Sequence, residues 1–97
     1  MKSVKTTVWD MAEHINSKED VLNYLEAALE ENDPDFLLEV IGDIARSKGM
    51  AKIAKELNLA RESLYRSLSH DGNPSFKTVF KLFDILGMRV RLEPKAA

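Results

Sequence analysis

Residues 54 to 68 have the sequence AKELNLARESLYRSL, and this stretch decides the fold. At about 100° per residue, Leu64 and Leu68 lie on one side of a helix predicted from about Arg61 to Ser69. The opposite side is an arc of about 140° made of hydrogen-bonding side chains. Its members are Arg61, Glu62, Tyr65, Arg66 and Ser69. We therefore expect the helix to bury its leucines and to present a polar surface.

A second short helix is predicted just before this one, from about Met50 to Leu57. Ala54 is small where the two helices would cross, and Asn58 tolerates the left-handed backbone conformation of a tight turn. Leu59 and Leu64 are expected to fill the angle between the helices. These are the requirements of a helix-turn-helix, which presents the outward arc of its second helix to the DNA major groove.

The charge of the 97-residue chain is divided along its length. Residues 1–45 carry three Lys against eleven Asp or Glu, a net charge of −8. Residues 46–97 carry eleven Lys or Arg against five acids, a net charge of +6. Opposite charges suggest opposite partners, although plain solvated surfaces explain such clusters about as often.

The placement of basic residues favours DNA. Lys48 and Lys52 flank the start of the first helix of the pair, and Lys77 lies in the first turn of a helix that Ser75 can cap. The free N–H groups of that helix would attract a phosphate, as would the lysines. These four residues join the outward arc as DNA-binding candidates.

Capping residues mark the other helices. Ser17 and Asp33 can open two helices in the acidic half, and Gly49 can end the second of them. The helix that begins at Ser75 stops at Gly87. The predicted fold is therefore all-α, with about five helices.

Residues 88–93 alternate apolar and polar side chains, which predicts one edge β-strand. A lone strand has no partner in a helical chain, so we expect it to pair with a second copy across a two-fold axis. The alternative is a terminal segment without order. The chain is then one domain, residues 1–97, with an acidic helical part (1–45) and a helix-turn-helix part (46–87). The dimerisation residues of the strand are Met88, Val90 and Leu92.

Several other classes of protein are not expected. The chain has no Cys, so it has neither disulfides nor thiolate metal sites, and His14 and His70 lack metal-ligand spacing. No apolar run approaches the ~20 residues of a membrane span, and MKSVKTTVWDMAEHI lacks the long apolar segment of a signal peptide. We therefore expect a cytoplasmic protein that is not an enzyme and binds no metal, cofactor or membrane.

The segments GDIARSKGM, RESLYRSLS and GNPSFKTVFKLFDILGMR carry a resemblance to a known family. Over nearly its whole length the chain resembles the addiction-module antidote proteins, a HigA-type antitoxin family with a helix-turn-helix of the phage Cro/repressor kind. The resemblance implies a lambda repressor-like fold and a homodimer that binds double-stranded operator DNA and represses its own operon. It also implies a cognate toxin of the RelE/HigB kind, a small basic ribonuclease that cuts translated messenger RNA.

By this resemblance the recognition helix falls on Arg61 to Ser69, with the DNA-facing positions Arg61, Glu62, Tyr65 and Arg66. Three positions depart from the broader repressor pattern. Met50 replaces a common Gln, Asn58 replaces a turn Gly, and Ala60 replaces a capping Ser. The missing cap costs ~0.5–2 kcal/mol unless docking or DNA compensates, so operator affinity is the property that these changes affect.

The acidic first half is the expected surface for a basic toxin, with Trp9, Met11 and Ile15 as toxin-binding candidates. Together with Val8, these apolar residues more often form a lid on the core than a surface for a partner. Two alternatives to an antitoxin stay open: a stand-alone phage-like transcriptional repressor without a toxin, and an interaction module that no longer binds DNA. A small basic ribonuclease-like reading frame beside this gene would favour the antitoxin.

Overall fold

The structure, a computed structural model, describes residues 17–96. This part of the chain contains five helices and no strand, in agreement with the predicted all-α class. We number the helices in chain order as α1 (Lys18–Glu30), α2 (Pro34–Lys48), α3 (Met50–Leu57), α4 (Arg61–Ser67) and α5 (Phe76–Ile85). Over residues 17–96, no helix is both long and apolar enough to cross a membrane.

Side-chain caps set the starts of three helices. The Oγ atoms of Ser17 and Ser75 each accept a hydrogen bond from the backbone N–H three residues on, at 3.2 and 3.1 Å. Asp33 Oδ1 accepts from two backbone N–H groups, at 3.1 and 3.3 Å. These bonds satisfy N–H groups that have no carbonyl within the helix, and they confirm the predicted starts of α1, α2 and α5.

The core is apolar, and all five helices contribute to it. α1 packs on α2, while α3 contacts α2, α4 and α5 and so occupies a central position. Burial of one Leu or Ile side chain contributes roughly 1.5–3 kcal/mol before its entropic cost. The largest fully buried side chains are Val21, Ile41, Ile44, Ile53, Leu64, Leu68 and Leu82.

Two glycines allow the end of α4 to approach its neighbours closely. A Cβ on Gly42, which is buried in α2, would lie 2.9 Å from the carbonyl oxygen of Leu68. A Cβ on Gly72 would lie 2.0 Å from the carbonyl oxygen of Ser67. Real Cβ atoms do not approach backbone oxygens this closely, so both positions require glycine, which has no Cβ.

We expect Gly42→Val to destabilise the fold by ~1–3 kcal/mol, because the added carbons would push α2 away from the end of α4. Urea unfolding followed by circular dichroism measures this loss. Ala27→Val on the exposed face of α1 is the control, which should cost only about 0.5 kcal/mol through helix propensity. An equal loss in the two variants would contradict the close approach at Gly42.

Helix α4 ends two residues earlier than predicted, at Ser67 instead of Ser69. The Ser69 hydroxyl donates to the carbonyl oxygen of Arg66 at 2.8 Å, and the N–H of Gly72 donates to the carbonyl oxygen of Ser69 at 2.8 Å. Serine side chains compete in this way for carbonyls at a helix end, and the turn that follows ends the helix.

Residues 88–93 do not form a strand in the single chain. The N–H of Met88 donates to the carbonyl oxygen of Phe83 at 2.8 Å, but residues 89–96 make no further backbone hydrogen bond with the described part of the molecule. A strand that pairs with a second copy has no ladder in one chain. The edge strand therefore stays a prediction. The helix preceding it ends at Ile85, and Gly87 (φ 83°) follows the cap residue Leu86, as expected of a glycine that stops the helix.

Candidate nucleic-acid interface

The turn between α3 and α4 has the predicted geometry. Asn58 adopts the left-handed conformation, with φ 59° and ψ 43°. The N–H of Leu59 donates to the carbonyl oxygen of Ala54 at 2.9 Å, which closes the end of α3. Ala54 is buried, as expected of a small residue where helices cross closely.

Apolar packing sets the orientation of α4. Leu64 and Leu68 are completely buried, so the predicted inner side of the helix is confirmed. Leu59 is 38% exposed, and the prediction that it fills the angle between the helices is wrong. The exposed Leu59 lies at the turn, where its backbone bond to Ala54 fixes its position.

The outward arc of α4 is accessible as predicted. Arg61, Glu62 and Arg66 are exposed and Tyr65 is half-buried, while Ser69 is exposed just beyond the helix end. No side chain caps the start of the helix at Ala60. The departure noted in the sequence is therefore a real loss of a cap.

The side chains of Arg61 and Tyr65 contact each other on the arc. The Arg61 guanidinium lies 5.5 Å from the centre of the Tyr65 ring, and its Nη2 donates to the Tyr65 hydroxyl at 3.5 Å. A guanidinium has five N–H donors, so most of them stay available for a base or a phosphate. Stacking on an aromatic ring also restricts the side chain, which lowers the entropy lost when it binds.

The other DNA-binding candidates surround α4 in the sequence and differ in availability. Lys48, Lys52 and Lys77 are exposed, and no ion pair to residues 17–96 occupies them. The Ser75 hydroxyl caps α5 and also donates to Thr78 Oγ1 at 3.0 Å. Its proton therefore already has an acceptor, and its role as a cap is the one that the structure shows.

An ion pair that was not predicted from the sequence connects the segment after α4 to α2. His70 Nδ1 lies 2.8 Å from Glu39 Oε2 on α2. The hydrogen bond to Glu39, followed by the Glu39 charge, raises the pKa of His70 above its ordinary value of 6.5. Asp35 and Asp71 add smaller effects in the same direction. Because the partners are 31 residues apart, no local pattern could have revealed the pair.

We expect Glu39→Gln to lower the pKa of His70 toward 6.5, since the amide keeps the size of the side chain but removes its charge. Because the pKa of His70 is raised in the folded state, the stabilisation by the His70–Glu39 ion pair is fully present below pH 6.5. It is lost as the pH rises through the folded-state pKa. An NMR titration of the His70 ring protons measures the shift. Asp84→Asn on α5 is the charge-matched control, and a pKa that Glu39→Gln leaves unchanged would contradict the pairing.

An open cleft lies on another part of the surface, between α1 and the C-terminal tail. Its lining includes carboxylates from both segments and the exposed Leu92 of the predicted strand. The lining residues are Glu26, Leu29, Glu30, Arg91, Leu92 and Glu93.

The toxin-binding candidates Trp9, Met11 and Ile15 lie outside the described residues. Among residues 17–96, no group of three His, Cys, Asp or Glu side chains is placed to hold a metal ion.

These features define a small all-helical domain with an exposed, hydrogen-bonding face on its fourth helix. A family model described as "Probable addiction module antidote protein" matches residues 5–94, and the chain belongs to this family. An uncharacterized protein of Haemophilus influenzae (strain Rd) is 39% identical over 85 residues, which cover 88% of each chain. No solved structure is significantly similar to the chain.

Proposed function

We propose that this protein is the antitoxin of a type II toxin-antitoxin system. In this role it neutralises a RelE/HigB-type toxin that cleaves messenger RNA, and it represses its own operon by binding the operator. The match of an antidote family to residues 5–94 carries the proposal, since it spans nearly the whole chain. A toxin partner follows from the family in general, and the type of toxin is part of the proposal.

The DNA-binding part of the proposal rests on α3 and α4, as the two helices of a helix-turn-helix. Burial of Leu64 and Leu68 leaves Arg61, Tyr65 and Arg66 facing outward, where Arg can donate to guanine and Tyr can contact a thymine methyl group or a phosphate. Lys48, Lys52 and Lys77 would contact phosphates and fix the orientation of the domain. Ser69 and Ser75 would add backbone contacts at most, because their hydroxyl protons have acceptors.

The homodimer part rests on the C-terminal tail. Residues 89–96 make no backbone hydrogen bond with residues 17–96 of the same chain, and Val90 and Leu92 are exposed apolar side chains. Antiparallel pairing of the tails across a two-fold axis would satisfy both copies. Met88, Val90 and Leu92 would then lie at the interface. The two α4 helices of the dimer would bind the two half-sites of one operator.

The toxin-binding part rests on charge and on the segment before α1. The −8 charge of residues 1–45 would attract a basic ribonuclease and be repelled by DNA phosphates. Trp9, Met11 and Ile15 supply apolar anchors for the same partner. Toxin and operator would then occupy different surfaces of one small protein.

We expect the dimer to bind a pseudopalindrome with half-sites about one turn, ~34 Å, apart, and to lose affinity steeply as salt rises. The reason is that each Lys or Arg placed on a phosphate releases a counterion. Gel retardation with the region upstream of the gene, at 50 and 200 mM salt, measures this. Each phosphate contact contributes a slope of about −0.9 to the log–log plot.

Scrambled DNA of the same length is the control, which should bind more weakly at both salt concentrations. Affinity for the upstream region that does not change with salt would contradict the phosphate contacts.

Growth rescue tests the antitoxin role against the stand-alone repressor. The product of the neighbouring gene is expressed alone and together with this protein. An antitoxin restores growth that the neighbour arrests, while a stand-alone repressor binds the operator but rescues nothing. Equal growth arrest with and without this protein would contradict the antitoxin assignment.

A further inference from the structure

The outer face of α5 carries an aromatic stripe that the DNA and toxin surfaces leave unused. Phe76 is 79% exposed and Phe80 is 53% exposed, and their ring centroids lie 5.9 Å apart. Phe83 extends the stripe by one turn, and it is half-buried against the core. A contiguous exposed aromatic patch marks an interaction surface more often than a single exposed residue does.

Charged side chains beside the stripe make the face self-complementary. Lys77 and Asp84 are seven residues apart, which is two helical turns, so they lie nearly in line along the helix. Both are exposed, and neither forms an ion pair with another residue of the described part of the chain. A basic group at one end of a helix face and an acidic group at the other suit an antiparallel copy of the same face.

We propose that the outer face of α5 binds the same face of a second copy, antiparallel across a two-fold axis. Phe80 then lies near the axis and Phe76 packs toward the partner's Phe83. Lys77 pairs with the partner's Asp84, and the symmetry forms this pair twice. The inference deepens the proposed homodimer and rests on it.

The size and position of α5 agree with an interface that includes the tail. Ten residues span about 15 Å, and one helix face of this length buries less than the ~1,200–2,000 Å² of a stable interface. The predicted strand, residues 88–93, follows α5 directly after Gly87 and would extend the same contact. The domain measures 28 × 27 Å across its shorter axes, so two copies that address half-sites ~34 Å apart are close enough to touch.

A basic toxin is a poorer occupant of this face than a second copy. Lys77 and Lys81 lie on it and would repel a basic partner, whereas the acidic side chains of the chain are concentrated in residues 1–45. Lys77 is also a proposed phosphate contact, and the pairing with the partner's Asp84 gives it a second role that does not require DNA. Its replacement should therefore weaken assembly in DNA-free solution.

Sedimentation of the full-length chain without DNA tests the proposal. We expect Phe80→Glu to raise the dimer dissociation constant about tenfold or more, because it places two carboxylates near the axis. Phe36→Glu, an equivalent change at a 39% exposed Phe on α2, is the matched control and should leave the constant unchanged. Circular dichroism of both variants shows whether the helices are intact.

A charge exchange tests the register. Lys77→Glu and Asp84→Lys should each weaken the dimer by placing like charges opposite each other. An equimolar mixture of the two variants should dimerise again, because each interface pair then joins opposite charges.

A wild-type dimer that all these variants leave intact would overturn the α5 interface, and the proposed dimer through the tail would stand. The same result is expected if residues 1–16 or another protein cover the stripe. A wild-type monomer would overturn both the α5 interface and the homodimer. Failure of the mixture to dimerise would overturn the antiparallel register.

Discussion

Replacing Arg61 and Arg66 together with Ala is expected to abolish specific operator binding and to leave the fold intact. Both side chains are exposed on the outward face of α4, and neither contributes to the core. Loss of one bidentate Arg–guanine contact costs ~1–3 kcal/mol, so loss of two lowers specific affinity by about two to four orders of magnitude. Gel retardation with operator DNA measures this loss.

Lys18→Ala with Lys95→Ala is the matched control for this variant. It removes the same two positive charges from exposed positions outside the proposed DNA surface. We expect it to keep operator binding, apart from a small general weakening. Growth rescue by the Arg61/Arg66 variant should equal that of the wild type. A folded Arg61/Arg66 variant that loses rescue as well would show that the DNA and toxin surfaces overlap.

Deleting residues 1–16 is expected to have the opposite effect, with operator binding kept and growth rescue lost. The deletion removes Trp9, Met11 and Ile15, the proposed apolar anchors for the toxin. The remaining chain keeps Ser17, whose hydroxyl caps α1, and every residue of the described core. Rescue of a toxin-arrested strain and gel retardation are measured on the same variant.

The control for this deletion is removal of residues 94–97, which shortens the other terminus beyond the predicted strand. We expect it to retain both activities. Full rescue by a chain without residues 1–16 would place the toxin contacts elsewhere on the molecule. In that case the acidic residues beside the cleft between α1 and the tail, such as Glu26 and Glu30, become the next positions to replace.

Locally determined features were predictable from the sequence. The caps at Ser17, Asp33 and Ser75 and the left-handed turn at Asn58 agree with the structure. Each depends on a hydrogen bond or a backbone preference that acts within about four residues, so neighbouring side chains suffice to specify it. The burial of Leu64 and Leu68 followed from helical periodicity for the same reason.

The sequence by itself thus determined the five helices of residues 17–96, the side-chain caps of three of them and the outward arc of α4. The tertiary structure decided the exposure of Leu59, the pairing of His70 with Glu39 and the exposure of the aromatic stripe on α5. These features depend on which distant segments meet. Helical period and capping act within a few residues, whereas contacts such as Gly42 with the Leu68 carbonyl join positions far apart in the chain.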